Sequence, residues 1–557
     1  MLLSNGHRHR LVAGRRQVTD CNHWPAHGLL NWTVMSTDRG QGWLKKALGL
    51  TEGEAPFPWQ MELLRRFRCG KAISSLDIPT GLGKTSVMAI WLVARALKAK
   101  KLPRRLVYVV DRRAVVDQAT EVAESLREWV AGDQCVADTL GLGGRPLPIS
   151  TLRGQYVDNR EWLEDPSLPA IIVGTVDMIG SRLLFKGYGV SRKMQSYHAG
   201  LLGADTLFVL DEAHLVPPFE HLLRTIEKDF APRAPVPPLR VLSLSATSRT
   251  QGDNVFKLTE EDSSHCTVKK RLEAKKLLQI KQIATTTNLE DALAESAWKL
   301  SCNGNKPVRI LVYADSREVA RKAKEAVEKR AKDSNKQGKP EVKIETELFV
   351  GGRRVFEREG AKKRLEELGF LAGSKVERTC PVFLFATSAG EVGVDLDADH
   401  MVCDLVAWER MVQRLGRVNR RGDGDARVIV VVKDCEDRVA QYCALLEIAR
   451  EGGSLSPKSL LKLRECQNLA SLFHEATTPE PLRPELTRPL VDAWAMRHRS
   501  KSTPGVPMTS NRGCGAGLRM IGRRRGWSGG STFPFARRGD RPAGRRLKLS
   551  SRLPRRI

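Results

Sequence analysis

Eight residues near the start of the chain have the composition and order of a loop that binds phosphate groups. The segment IPTGLGKT spans residues 78–85, follows an apolar stretch and precedes a strong helical pattern. Gly81 and Gly83 permit the tight turn that points backbone N–H groups at phosphate oxygens. Lys84 adds a positive charge for the β- and γ-phosphates, and the Thr85 hydroxyl can hold Mg²⁺. The segment departs from the usual pattern at its first position, where isoleucine stands in place of glycine, and we predict that it binds ATP with Mg²⁺.

Two further groups of charged residues could complete a site for ATP hydrolysis. Asp211 and Glu212 open the sequence DEAH directly after an apolar segment. Asp211 is expected to hold the Mg²⁺ ion, directly or through its water shell, and Glu212 to act as general base on the attacking water. Arg417 and Arg420 are three positions apart, so one helix face can direct both at the γ-phosphate as arginine fingers. Taken singly, the carboxylates could instead cap a helix and the arginines could be surface residues.

Two glutamines are candidates for nucleotide binding. Gln60 lies upstream of the phosphate-binding loop, and its amide can pair with the edge of an adenine ring, although such a residue taken alone is more often an ordinary surface residue. Gln413 opens the segment QRLGRVNR, which contains both candidate arginine fingers. We therefore predict that Gln413 also faces the nucleotide.

The candidate residues follow short apolar segments that predict two parallel sheets. Polar motifs lie at the carboxyl ends of these segments, where doubly wound α/β folds bind their ligands. The fold class is therefore predicted as α/β, with tandem parallel-sheet domains over 35–255 and 256–436. The predicted strands are 105–110, 170–173, 206–210 and 240–244 in the first domain, and 308–314, 382–387, 401–405 and 427–432 in the second.

The flanking segments differ from this body in composition. Residues 437–496 have leucines at helical spacing and are predicted to be a helical accessory region, while residues 1–34 are predicted to be a disordered leader, with Met35 as an alternative start. Residues 497–557 hold 17 Lys and Arg against one acidic residue and lack an apolar period, which predicts a disordered basic tail. Either a basic arm for nucleic acid or out-of-frame translation of GC-rich DNA would produce such a tail, and we favour the second.

Composition narrows the functional classes. The chain has 557 residues and a formal net charge of +28, but much of that charge lies in the basic tail, so it does not by itself identify a nucleic-acid partner. The 11 cysteines have no C-x-x-C pair, which is typical of reduced thiols in a cytoplasmic protein and not of a disulfide framework or zinc site. No apolar run approaches the length that spans a membrane.

The order of the motifs PTGLGKT, DEAH, SAT and QRLGRVNR resembles the superfamily-2 helicases. The resemblance implies two tandem RecA-like domains that sandwich ATP and move along a strand of nucleic acid. It also implies that Ser245 and Thr247 couple hydrolysis to domain motion. Thr151, Thr175 and Thr387 match positions where the family contacts the nucleic-acid backbone.

A narrower resemblance is to the CRISPR-associated type I helicase–nuclease, and within it to the type I-U (I-G) branch. It rests on the segments 391–397 and 413–420, and on 77–85 with YVVDRR at 108–113. It implies an ATP-driven translocase on single-stranded DNA that is recruited by an RNA-guided surveillance complex in antiviral defence. The family also carries an HD-type nuclease, but this sequence contains no His-Asp dipeptide, so no nuclease activity is expected.

Two other functions stay open at this stage. One is a DNA- or RNA-remodelling helicase of the same superfamily outside CRISPR interference. The other is a non-enzymatic fragment whose basic tail binds polyanions, which the complete set of Lys84, Asp211, Glu212, Arg417 and Arg420 disfavours. The segment 391–397 and Asn419 favour a CRISPR-associated helicase over a remodelling helicase outside CRISPR interference.

Overall fold

The structure is a computed structural model. It describes residues 39–479, except 154–159, 231–235, 246–253, 337–341, 352–354, 375 and 434–437, together with positions 487 and 489. The predicted leader and the predicted basic tail lie outside the described residues. So do Thr247 and most of residues 480–496, at the end of the predicted helical region.

The first domain is built on a seven-stranded sheet in which every pair of neighbours is parallel. Its strand order is β3-β4-β2-β5-β6-β1-β7. The strands are β1 (Ser75–Asp77), β2 (Arg105–Val110), β3 (Ile149–Leu152), β4 (Ala170–Thr175), β5 (Thr206–Leu210), β6 (Arg240–Ser245) and β7 (Val255–Lys257).

The second domain is built on a six-stranded sheet, also parallel throughout. Its strand order is β10-β11-β9-β12-β13-β8. The strands are β8 (Lys276–Ile283), β9 (Arg309–Tyr313), β10 (Glu345–Phe349), β11 (Val382–Ala386), β12 (His400–Asp404) and β13 (Ala426–Lys433).

Both sheets are covered by helices on their two faces. Along β2, Leu106 and Tyr108 join one buried cluster while Val107 and Val109 join the cluster on the opposite face. A strand buried on both faces has no polar alternation, which is why the central strands read as continuous apolar runs. The helices that accompany the first sheet are residues 39–47, Pro58–Arg68, Val87–Ala96, Arg113–Ala131, Gln134–Leu140, Glu161–Glu164, Val176–Leu183, Arg192–Gly203, Pro217–Phe230, Glu260–Ser264 and Cys266–Leu272.

The helices that follow belong to the second sheet and to the C-terminal region. Leu445, Ile448 and Phe473 from the C-terminal helices lie in the same buried cluster as residues of β11 and β12. The C-terminal helices therefore share the core of the second sheet. The helices are Leu289–Leu300, Arg317–Lys336, Val355–Glu367, Trp408–Leu415, Val439–Arg450, Pro457–Glu465 and Gln467–Glu475.

Candidate active site

The predicted phosphate-binding loop connects β1 to the helix Val87–Ala96. Gly81 and Gly83 have φ values of +90° and +76°, in the left-handed region that glycine enters without steric cost. The loop ends in a short 3₁₀ turn, Lys84–Ser86, and the Lys84 residue is only 8% exposed. The loop therefore delivers a buried ammonium group to the carboxyl end of β1.

Glu212 lies between the two domains and contacts one residue from each. Its Oε1 is 3.3 Å from the Lys84 Nζ, and its Oε2 accepts a hydrogen bond of 2.8 Å from the Gln413 amide of the second domain. Burial alone would raise the pKa of the Glu212 carboxyl, but the positive charge of Lys84 and the neighbouring His214 outweigh it and lower that pKa. The carboxylate is thus held in the ionised form that a general base requires.

Backbone geometry fixes the direction of the Glu212 side chain. Glu212 has φ of +48°, although it carries a Cβ, and it is the second residue after β5. The left-handed region is unfavourable for such residues and is found where the surroundings impose it, often in active sites. Here it turns the chain sharply between β5 and the 3₁₀ turn Ala213–Leu215.

Asp211, Thr85 and Tyr108 form the part of the site that fits a divalent cation. Burial, followed by the charge of Glu212, raises the pKa of Asp211 to about 6, despite the attraction of Lys84. The Tyr108 hydroxyl lies beside both Asp211 and Thr85, and burial raises its pKa well above the ordinary value. Carboxylate and hydroxyl oxygens are donors that suit Mg²⁺, so Asp211 and Thr85 are the residues here that would hold the ion, and a cation there would favour ionised Asp211.

Arg420 packs directly over the phosphate-binding loop. A Cβ built on Gly81 would lie 3.3 Å from both the Cγ and the Nε of Arg420, so a side chain at that position would press against Arg420. The guanidinium pairs with Asp395, and the Arg420 backbone N–H donates to Asp397 at 2.9 Å. Burial lowers the pKa of Arg420 to about 10, so the group is still cationic at neutral pH.

Arg417 lies on the same segment and also faces the cleft. Its guanidinium donates to the Glu391 carbonyl at 2.9 and 3.1 Å and is 3.6 Å from the Asp395 carboxylate. Its charge contributes to the lowered pKa of Glu212. The two predicted arginine fingers are therefore brought to one site, with Arg420 at the loop and Arg417 closer to the carboxylate.

Gln60 is buried beside the loop and is not a surface residue. It is 5% exposed, its Oε1 accepts from the Phe57 N–H at 2.8 Å, and its Nε2 donates to the Ser86 hydroxyl at 2.9 Å. These bonds orient the amide at the N-terminal end of the helix Val87–Ala96. The two hydrogen bonds hold the Gln60 amide next to the loop, at a position where it can contact a nucleotide base.

The remaining predicted residues that the structure describes lie at or near the carboxyl ends of their strands. Thr151 is in β3, Thr175 ends β4 and Thr387 follows β11, and each is between 8% and 9% exposed. Thr151 Oγ1 is 3.0 Å from the Thr120 hydroxyl. Ser245 ends β6 and is 3% exposed.

Arg271 is a contact of the loop that sequence reasoning missed. Its guanidinium donates to the Gly81 carbonyl at 2.8 Å and lies over the Phe57 ring, 5.6 Å from the ring centroid. Its helix, Cys266–Leu272, lies between the two sheets in sequence and belongs to no motif. Only the three-dimensional fold identifies this residue, because an arginine in a basic amphipathic helix has no sequence signal of its own.

A buried ion-pair network holds the helix that carries Gln413. Arg414 is fully buried, donates to Glu391 at 2.9 Å and to Asp404 at 2.7 Å, and lies over the Tyr313 ring. Despite its burial, the two carboxylates raise the pKa of Arg414. Arg410 supplies a second cation to Glu391 at 2.8 Å.

Removing Arg414 is expected to destabilise the second domain. Arg414→Ala leaves Asp404 and part of the Glu391 charge uncompensated in the core, which costs about 3–5 kcal/mol of the free energy of unfolding. Urea unfolding followed by circular dichroism measures the change. The exposed pair formed by Arg321 and Glu318 is the control, since Arg321→Ala should cost less than about 1 kcal/mol. Equal midpoints for the two variants would contradict a structural role for Arg414.

Other classes of site were sought in the part of the chain that the structure describes. There, no group of three His, Cys, Asp or Glu side chains is arranged to hold a metal ion, and the cysteines are free thiols. None of the described helices combines the length and the apolar character needed to cross a membrane.

Comparisons with known proteins agree with this architecture. Residues 58–255 match the family model of the DEAD/DEAH box helicases, and residues 274–423 match that of the C-terminal part of the CRISPR-associated nuclease/helicase Cas3. No curated protein sequence matches the chain.

Solved structures of Cas3 from T. fusca share the fold. The crystal structure of T. fusca Cas3-ATP has a TM-score of 0.54 and 14% identity, over 86% of this chain and 61% of that one. The Cas3-ADP structure has a TM-score of 0.54 and 14% identity, over 89% of this chain and 60% of that one. The match thus spans less than two thirds of the Cas3 chains, and at this identity it concerns the fold alone. It confirms the predicted α/β fold of two RecA-like domains, the first of which contains the match to the DEAD/DEAH box helicases and the second the match to the C-terminal part of Cas3.

Proposed function

We propose that the protein is an ATP-driven translocase on single-stranded DNA that hydrolyses ATP between its two sheets, with 35–255 and 256–436 as the motor domains. One observation carries the proposal: Glu212 is bonded at once to Lys84 of the first domain and to Gln413 of the second. A carboxylate at that junction can act only when both domains are in place. Hydrolysis is thereby coupled to the relative position of the domains, which is the property that a motor requires.

The first domain binds the nucleotide. Lys84 and the backbone N–H groups of the loop hold the β- and γ-phosphates, and Gln60 contacts the base. Thr85 and Asp211 would hold Mg²⁺, which when bound neutralises charge on the phosphate oxygens. Glu212 then accepts a proton from the attacking water, because Lys84 and His214 keep its carboxylate ionised.

The second domain completes the reaction. Arg417 and Arg420 compensate the negative charge that develops on the transferring phosphoryl group. Arg420 already lies over Gly81, so a short displacement of its side chain reaches the phosphate. Gln413 holds Glu212 in the orientation that the attacking water needs.

Nucleic acid would cross the strand ends of both domains. Thr151, Thr175 and Thr387 supply hydroxyl groups at the ends of β3, β4 and β11 and would contact the sugar-phosphate backbone. Ser245 and Thr247 would transmit the state of the ATP site to that surface. Backbone contacts of this kind carry no sequence information, as suits a translocase.

The biological setting we propose is type I CRISPR interference, in the I-U branch and in the cytoplasm. The Cas3-like match over 274–423 supports it, together with the segments 391–397 and 413–420. The partner would be an RNA-guided surveillance complex, and DNA cleavage is not expected of this chain. A helicase outside CRISPR is the second candidate, because residues 58–255 match the DEAD/DEAH helicases in general.

ATP turnover with different nucleic acids tests the proposal. We expect single-stranded DNA to raise the steady-state rate several-fold and RNA of the same sequence to raise it less. Lys84→Ala is the control for contaminating activity, since it removes the charge that binds the phosphates and should abolish turnover. Stronger stimulation by RNA would favour the second candidate, and no stimulation by either would exclude both.

A further inference from the structure

The helix Pro457–Glu465 packs against both motor domains. Leu461 contacts the buried cluster of the first sheet, whereas Leu460 and Leu463 contact the cluster of the second. We infer that this helix is a latch between the domains and that Arg464 is a positioning residue for ATP hydrolysis. The inference rests on the proposed ATPase, and the helix lies beyond both segments that match family models.

A bidentate ion pair joins the latch to the first domain. Arg464 Nη1 and Nη2 donate to the two carboxylate oxygens of Asp77 at 3.0 and 2.5 Å, across 387 positions of sequence. Asp77 is 6% exposed, so water screens this ion pair far less than it would a pair on the surface. The planar fork of arginine fixes the direction of the carboxylate as well as its distance.

The position of Asp77 gives the ion pair its significance. Asp77 is the last residue of β1, and the phosphate-binding loop follows it directly. β1 is a short strand of three residues between β6 and β7. A contact that holds the end of β1 therefore also holds the start of the loop.

The other end of the latch is tied to the second sheet. The Leu455 N–H donates to the Lys276 carbonyl of β8 at 2.8 Å, and the Ser456 hydroxyl accepts from the Ser459 N–H at 3.2 Å, which caps the helix. Lys458 pairs with Glu273 at 2.6 Å just before β8. The helix thus connects the base of the loop to the sheet that carries the arginine fingers.

This connection predicts which kinetic constant responds to the latch. The groups that bind ATP in the ground state lie in the first domain and stay present when the latch is loosened, although the start of the loop is held less firmly. Arg417 and Arg420 act from the second domain on charge that develops only in the transition state. Loosening the latch should therefore lower kcat by a larger factor than it raises KM for ATP.

A double-mutant cycle tests the ion pair. We expect Arg464→Gln and Asp77→Asn each to lower the DNA-stimulated kcat about tenfold, and the double variant to be no worse than either, since one contact is lost in all three. Arg464→Lys keeps the charge without the fork and should recover part of the rate. Lys462→Gln, an exposed residue of the same helix, should leave kcat unchanged. Wild-type kcat in Arg464→Gln, or a hundredfold loss in the double variant, would overturn the inference.

A second measurement separates this inference from the proposed ATPase. Amide hydrogen exchange in peptides covering residues 75–85, without nucleotide, should be faster in Arg464→Gln than in the wild type and unchanged in Lys462→Gln. This result requires only the latch, whatever the protein hydrolyses. Unchanged exchange would contradict the latch even if the ATPase is confirmed, and a wild type without ATPase activity would contradict the proposed function alone.

Discussion

Arg420→Ala is expected to lower the kcat of ATP hydrolysis by about 10³-fold or more while nucleotide affinity stays within about twofold. Arg420 belongs to the second domain and lies over Gly81 of the first domain. The groups that bind ground-state ATP belong to the first domain. Its charge is therefore used mainly on the transferring phosphoryl group. Steady-state turnover, with equilibrium binding of a fluorescent ATP analogue, separates the two quantities.

The neighbouring Arg421 provides the control for this measurement. It is exposed and follows Arg420 in the same segment, so Arg421→Ala removes an equal charge without altering the guanidinium at the loop. We expect its kcat to stay close to that of the wild type. Equal losses in both variants would mean that general positive charge, and not an arginine finger, accounts for the effect.

Glu212→Gln is expected to reduce kcat by about 10²–10⁴-fold, the contribution typical of a general base. The substituted amide keeps the size of the side chain and can still bond to Gln413, but it cannot accept the proton of water. ATP should still bind, because Lys84 is unchanged. Without the Glu212 carboxylate as its partner, the Lys84 ammonium group is more available to the phosphates. Single-turnover hydrolysis with prebound ATP measures the chemical step directly.

The control is a carboxylate on the following helix. Glu227 pairs with Arg224 at 3.4 Å and has no contact with the loop, so Glu227→Gln should retain turnover. If Glu212→Gln hydrolysed prebound ATP at the wild-type rate, another group would have to activate the water.

The central strands could be predicted closely from the sequence, but the edge strands could not. The predicted segments 105–110 and 206–210 coincide with β2 and β5, since strands buried on both faces are continuous apolar runs. β8 reads KLLQIKQI and alternates between buried and exposed positions, and β10 is only partly buried throughout. Such edge strands resemble polar loops or helices in sequence, so they were not predicted.

The same distinction applies to the site. The phosphate-binding loop, the paired carboxylates and the arginine fingers each belong to a motif whose residues have fixed spacing within it. The structure brings the three motifs to one cleft. Contacts such as the hydrogen bond of Arg271 to the loop involve residues that have no fixed spacing to any motif. Their role depends on how the two sheets meet, which is a property of packing between distant segments and not of local pattern.

The distance in sequence between Asp77 and Arg464 has a consequence for how the protein is made. A ribosome adds about 5–20 residues per second, so the 387 residues between the partners take roughly 20–80 s to synthesise. β1 also needs β6 and β7, which emerge only after residue 239. Until residue 257 has been added, the phosphate-binding loop is consequently attached to a strand without neighbours. The nascent chain should therefore acquire ATP binding only after β6 and β7 have been made, and ATP hydrolysis later still, when Arg464 has joined Asp77.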